Sequence, residues 1–189
     1  MKKIILIGSG GHFNSCEDVI TSAKKFKIDF IIDKKENNKI NYKVYLEKKI
    51  VKKYNFKRKL IHISVGQLRL GKKRKQLYEF YKNKGGIFPV IKSNKCYVSK
   101  SAKINEGTII MNHVTVNSGV VIGKNCIINT GSIIEHDVII EDNVHIAPGA
   151  ILLGGCIIRQ NSFIGAGSLV KQNKEVYKNS IISSKKYIR

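Results

Sequence analysis

Asn129-Thr130-Gly131-Ser132-Ile133-Ile134-Glu135-His136-Asp137 gathers polar side chains in one short run. A histidine beside a carboxylate can take a proton from an attacking hydroxyl or amine. Either Asp137 or Glu135 could hold the imidazole in the proton-accepting tautomer and stabilise the imidazolium that forms. His145 stands nine residues further on. A second group of candidates lies at the start of the chain, where Gly8-Ser9-Gly10-Gly11-His12 follows the apolar run Ile4–Ile7. A helix is expected from Ser15 to Phe26, with Val19, Ile20 and Ala23 on one face, and Asp29–Ile32 then reads as a strand closed by Asp33. Strand, glycine loop, helix and strand in that order set backbone N–H groups and a helix N-terminus where a phosphate can bind. The glycine spacing is not G-x-G-x-x-G, so the loop by itself does not name a ligand.

These residues need a scaffold, and from Val98 to Val170 the chain repeats every six positions. An apolar branched residue stands at Val98, Ile104, Ile110, Val116, Ile122, Ile128, Ile134, Ile140, Ile146, Leu152, Ile158, Ile164 and Val170. Four residues after each comes a smaller one, among them Thr108, Val120, Cys126, Ser132, Ala150, Cys156 and Ser168. Period six fits neither a helix of 3.6 residues per turn nor an alternating strand, and it requires a corner every six residues. A triangular left-handed parallel β-helix meets this, with three hexads per coil and a continuous core along its axis. A β-sandwich is the competing architecture. Asn117, Asn125, Asp142 and Gly123 suit the corners, since they tolerate left-handed backbone conformations. Nine residues is half a coil, so His136 and His145 belong to different parts of one turn.

The N-terminal part reads as a small Rossmann-like α/β domain: strands at 2–7, 29–32 and 60–65, and helices at 15–26, 44–54 and 70–84. The expected division is residues 1–94 for this domain, 95–172 for the β-helix and 173–189 for a charged tail that caps its open end. Cys16, Cys96, Cys126 and Cys156 show no C-x-x-C spacing, and two of them occupy the small inward slot, so they read as buried thiols. The net charge of +22 invites nucleic acid or an anionic membrane. Yet the lysines spread through 34–84 and 171–186 without a basic motif interleaved with aromatics, and a Lys-, Asn- and Ile-rich composition accounts for them. No nucleic-acid partner and no membrane insertion are expected, and anionic small ligands would profit from the field. Neither a signal peptide nor an apolar run of spanning length is visible, which reads as a soluble, cytoplasmic protein.

Nearly end to end, the sequence resembles the sugar acyltransferases of the sialic acid O-acetyltransferase type, which are hexapeptide-repeat proteins, and the related N-acetyltransferases of nucleotide-linked 4-amino sugars. The resemblance rests on Ile5 to His12 with Asp18 and Asp33, on Val65-Gly66, on Asn129 to Asp137, and on His145-Ile146-Ala147-Pro148-Gly149-Ala150. It implies a homotrimer with acetyl-CoA between two subunits, no metal, and a UDP-linked or other sugar acceptor held by the N-terminal domain. His136 would be the general base and Asp137 its orienting carboxylate. Asn129 would touch the sugar, and Gly8, Gly10, Gly11 and His12 would line the uridine diphosphate site with Asp33 at the nucleoside. His145, Gly154, Ala166 and Gly167 would hold the cofactor, the Gly154 N–H serving the oxyanion. Two departures stand out. The family's Gly-Asn-Pro-Ala-Lys ending is replaced by a shortened Ile182 to Arg189, and the usual His-Pro before the β-helix is Lys92-Ser93.

The function expected is acetyl-CoA-dependent acetylation of a nucleotide-activated amino sugar for surface glycan or polysaccharide assembly. O-acetylation of a sialic acid or related sugar uses the same base and is the alternative. A non-catalytic trimeric sugar-nucleotide scaffold is a third reading, which the His136-Asp137 pair disfavours. An NAD-dependent enzyme built on the glycine loop is disfavoured because the rest of a dinucleotide-binding domain is too short.

Overall fold

In the computed structural model, which describes residues 1–189, the chain forms two units: residues 1–66 with 73–89, and residues 67–72 with 90–189. The first unit is built on strand β1 (Lys2–Ile7), whose Ile4–Ile7 are all buried. It pairs in parallel with β2 (Phe26–Asp33) and β4 (Leu60–Ile63), and β3 (Val44–Leu46) adds to β2, giving the order β3-β2-β1-β4. Helix α1 (Gly11–Ser22) begins four residues earlier than expected. Its first turn rises straight from the glycine loop and it ends at Ser22, while Lys2–Ile4 pair with Phe26–Ile28, so that β2 starts at Phe26, the last residue of the expected helix. The segment expected as a helix from 44 to 54 is a strand, β3, followed by the single-turn α2 (Glu47–Ile50). Val44 and Tyr45 favour a pleated surface, and the open edge of β2 supplies the pairing. Helix α3 (Lys72–Asn83) packs Tyr78 and Tyr81 against Ile61, Ile63 and Phe88.

His62 on β4 is fully buried, and neither of its ring nitrogens has a hydrogen-bond partner. Burial, with the charges of Arg74 and His12 beside it, holds its pKa well below the ordinary 6.5. The buried Arg74 guanidinium donates to the carbonyl oxygens of Ile63 and Val65 at the end of β4. His62 is therefore neutral in the fold, whereas in the unfolded chain it takes a proton below about pH 6.5. The unfolded state binds more protons there, so stability falls as the pH drops through that value, by up to about 1.4 kcal/mol per pH unit from this one group. The urea midpoint is expected to fall between pH 7 and pH 5, and His62→Leu is expected to flatten that fall; an equal fall in the variant would contradict the assignment.

In the second unit the hexads coil into a parallel β-helix with three flat faces. The first face stacks 103–104, 121–122, 139–140, 157–158 and 175–176; the second runs from 91–92 to 181–182, and the third from 97–98 to 187–188. Every pairing joins residue i to i+18, as Ile127 does with Ile109 on one side and His145 on the other. From Ile110 to Val170 the sixth-position residues are buried, as are the small ones from Thr108 to Ser168. Inward hydroxyls are satisfied by the coil itself: Thr108 Oγ1 donates to Gly123 O at 2.7 Å and Ser168 Oγ to Ser183 O at 2.9 Å. One corner carries an asparagine column, Asn125, Asn143, Asn161 and Asn179, all at positive φ. Asn125 donates to Asn143 Oδ1 at 2.9 Å and Asn161 to Asn179 Oδ1 at 3.1 Å, so side chains bridge the coils beside the main-chain ladder. Cys126 and Cys156 are buried in the inward slots, and burial pushes the Cys156 thiol up to about 12, which removes it as a nucleophile at neutral pH.

Residues 173–189, expected as a capping tail, are themselves part of the β-helix. Glu175–Val176, Ile181–Ile182 and Tyr187–Ile188 pair with the strands 18 residues before them. Val176, Ile182 and Ile188 continue the sixth-position series, and Tyr187–Ile188 is a strand of the third face.

Candidate active site

His136 and Asp137 form the corner between the third face, at Ile133–Ile134, and the first, at Ile139–Ile140. Asp137 takes the left-handed position of that corner, φ 58°, and its N–H donates to Ser118 O at 2.9 Å in the preceding coil. Its carboxylate Oδ2 lies 3.0 Å from His136 Nδ1. If Nδ1 carries the proton and donates it to the carboxylate, Nε2 is left as the proton acceptor. Glu135 does not compete for this role, because its Oε2 accepts from Asn117 Nδ2 at 2.9 Å. The two side chains are 54% and 72% exposed, open to a substrate.

The 18-residue repeat places a glycine against each member of the pair. Gly154 lies one coil above His136, and a Cβ there would come within 2.5 Å of imidazole Nε2 and Cε1. Gly119 lies one coil below Asp137, where a Cβ would meet Oδ1 at 2.2 Å. The imidazole and the carboxylate thus occupy hollows that only glycine leaves free. Gly119 gave no separate signal in the sequence; its significance follows from being one coil removed from Asp137. The Gly154 carbonyl accepts from Asn173 N–H at 3.0 Å, and its own N–H is not used in the ladder.

Asn129 and His145 meet at the next corner, between the second and third faces. Asn129 Nδ2 stands 3.1 Å from His145 Nε2, and Gln67 O stands 2.6 Å from His145 Nδ1. These distances assign the proton to Nδ1, donated to the Gln67 carbonyl, and make Nε2 the acceptor from Asn129. The ring is 6% exposed and edge-on to Phe163 at 5.2 Å, so His145 fixes Asn129 and the Gln67 backbone. Gln67, which sequence reasoning passed over, also donates Nε2–H to Asn143 O at 3.1 Å. Along this corner Gly131, Gly149 and Gly167 stack at φ 67°, 65° and 63°, with Ala166 beside the last. Nothing stands within 4 Å of a Cβ at Gly131 or Gly149, so bare main chain is open to a long, thin ligand laid along the coils. The chain therefore brings His136, Asp137 and Gly154 together at one corner and pairs Asn129 with His145 beside another, which Ala166 and Gly167 occupy further along the coils.

In the first unit, Gly8 at φ 104° carries the chain out of β1, and a Cβ there would strike Val65 Cγ2 at 2.5 Å. Asp33 latches the loop: its Oδ2 accepts from both the N–H and the hydroxyl of Ser9 at 2.6 Å, and its Oδ1 from Lys34 N–H at 2.6 Å. Burial alone would raise the Asp33 carboxyl, but the Ser9 and Lys34 hydrogen bonds and the charge of Lys73 together bring it below its ordinary value. Gly10 and Gly11, at the start of α1, have nothing within 4 Å of a Cβ, whereas a Cβ at Gly66 would meet the His12 side chain at 3.2 Å. Gly8, Asp33, Lys34, Glu47 and Lys73 line a cleft at the C-terminal ends of β1 and β2. Beside it, Lys34, Lys73, Leu77 and Phe80 are among the residues around a hollow of about 330 Å³. Lys34 and Lys73 went unread in the sequence, where they are two lysines among many.

The chain thus carries a small parallel α/β domain and a hexad β-helix with a histidine at one corner. The family comparisons agree on both parts. Residues 3–80 match the PglD N-terminal domain and residues 137–172 the bacterial transferase hexapeptide repeat, so the chain carries both domains. No curated protein sequence matches the chain. Among solved structures, the acetyltransferase domain of PglB from Neisseria gonorrhoeae in complex with acetyl coenzyme A is 26% identical. That match has a TM-score of 0.89 and covers 99% of this chain and 92% of that one. A mutant of perosamine N-acetyltransferase from Caulobacter crescentus, in complex with CoA and GDP-perosamine, has a TM-score of 0.90 at 20% identity, covering 100% and 89%. WeeI from Acinetobacter baumannii has a TM-score of 0.75 at 19% identity, covering 100% and 94%.

Proposed function

We propose that the chain is an acetyl-CoA-dependent acetyltransferase acting on a nucleotide-linked amino sugar in surface glycan or polysaccharide assembly. The observation that carries this is the His136-Asp137 pair seated between Gly119 and Gly154. His136 Nε2 takes the proton as the acceptor amine attacks, Asp137 stabilises the imidazolium, and the Gly154 N–H stands ready for developing negative charge. Bound acetyl-CoA supplies an activated acetyl group as a thioester, so alignment and proton removal suffice and no covalent enzyme intermediate is needed. The acetyl-CoA-bound acetyltransferase domain of PglB, at 26% identity, supports the same donor here.

The split of the site across two corners supports a homotrimer in which His136 of one subunit faces the open Gly131-Gly149-Gly167 corner of the next. Asn129, held by His145, then contacts the sugar, and Ala166 and Gly167 the cofactor. Gly8, Gly10, Gly11 and His12, latched by Asp33, receive the nucleotide, with Lys34 and Lys73 beside its phosphates. No helix is long and apolar enough to cross a membrane, which fits the cytoplasm as the place of work.

Loss of the Asp33 latch in Asp33→Ala is expected to raise KM for the nucleotide sugar about tenfold while kcat stays within twofold, since charge-assisted bonds of about 1.5–3 kcal/mol are lost from the loop and the dyad keeps all its own contacts. An unchanged KM would remove the loop from substrate binding. As a test of the whole reading, acetyl-CoA and a UDP- or GDP-linked 4-amino sugar should each raise Tm in a concentration-dependent way. A protein whose Tm responds to neither is not this enzyme.

A further inference from the structure

Behind α2, a cavity of about 300 Å³ opens between Phe30, Tyr45, Ile50 and Tyr54, with Lys49 and Lys53 in its wall. It shares no residue with the cleft at Gly8 and Asp33 or with the hollow beside that cleft. Its aromatic walls are braced edge to face, Phe30 against Tyr45 at 5.0 Å and against Tyr54 at 5.4 Å. Two further lysines stand over its rings: Lys43 Nζ lies 4.8 Å from the Tyr45 centroid and Lys59 Nζ 5.9 Å from that of Tyr54. The lysines that look dispersed in the sequence thus converge around one apolar hollow. From Lys43 to Lys59 the chain carries eight cations, all exposed, and a single acid, Glu47. Glu47 is turned towards the Tyr81 hydroxyl at 3.5 Å, and nearby Asp29 is paired with Lys3 at 2.9 Å, so no carboxylate lines the cavity.

We propose that this face docks on an anionic phospholipid surface, one apolar chain entering the Phe30-Tyr45-Tyr54 cavity while Lys43, Lys49, Lys53 and Lys59 hold the phosphates around its mouth. An apolar socket ringed by amines matches an amphiphile that is apolar at one end and anionic at the other. The remaining cations, Lys48, Lys52, Lys57 and Arg58, exceed what one small ligand could neutralise and suit a sheet of headgroups. Partly exposed tyrosines at the rim suit the boundary between water and lipid. Docking of this kind needs no membrane-spanning helix.

The test is co-sedimentation of the full chain with phosphatidylglycerol vesicles and, separately, phosphatidylcholine vesicles at about 0.15 M salt. Binding to the anionic vesicles alone is expected. Near an anionic surface each lysine is worth about fivefold in partition, so Lys49→Gln with Lys53→Gln should weaken binding about 25-fold without altering acetyl transfer in solution. Tyr54→Ser, checked for an unchanged circular dichroism spectrum, should weaken it as well by opening the cavity. Equal binding by the double variant, binding unaffected by Tyr54→Ser, or duplex DNA competing the protein off the vesicles at equal charge would each overturn the proposal.

Discussion

His136→Ala is expected to lower kcat for acetyl transfer by about 10²–10⁴-fold, the range general-base catalysis contributes. The attacking amine then loses the imidazole that takes its proton, and Glu135 does not replace it because it is occupied by Asn117. The imidazole is half exposed, so its removal should leave Tm within about 2 °C. KM for acetyl-CoA should move little, since the hollow over Gly154 persists. Steady-state thiol release at saturating donor and acceptor reads the effect, and a rate within twofold of the unaltered enzyme would show that His136 is not the base.

The second large effect requires no change to any reactive group. Gly154→Ala keeps the backbone N–H and has no positive-φ penalty, but its methyl would fall within 2.5 Å of Nε2 and Cε1. The ring has to tilt away from the reacting centre by the better part of an ångström. A misplacement of that order costs about 10²-fold. The loss is expected in kcat with the fold intact, and a smaller side chain at position 136 cannot restore it. Gly119→Ala should act on the other partner, swinging the Asp137 carboxylate from its hollow and reducing kcat about tenfold, with some instability added by its φ of 72°. If Gly154→Ala runs at full rate, the hollow does not set the imidazole's position.

The hexads were legible because one rule repeats: a branched apolar residue at each sixth position is buried from Ile110 to Val170, and nothing else in the sequence needs that spacing. The rule faded only in the small slot of residues 171–189. That slot holds Lys174, which is exposed, while Val176 stays buried. Elements decided by pairing were less legible: Val44–Leu46 is a strand because β2 offers an edge, and Phe26–Ile28 extends β2 because Lys2–Ile4 lie opposite. The dyad could be found from neighbouring letters. Its two glycine seats could be found only by counting 18 residues either way, and the lysine-ringed cavity not at all, since Phe30, Tyr45 and Tyr54 come from separate stretches.

The most direct measurement is free-thiol release from acetyl-CoA with UDP- and GDP-linked 4-amino sugars, their 4-hydroxy analogues and free sialic acid as acceptors. The geometry predicts release with a nucleotide-linked amino sugar, dependent on His136 and on the Asp33 latch. Release with free sialic acid alone, indifferent to Asp33→Ala, would contradict it.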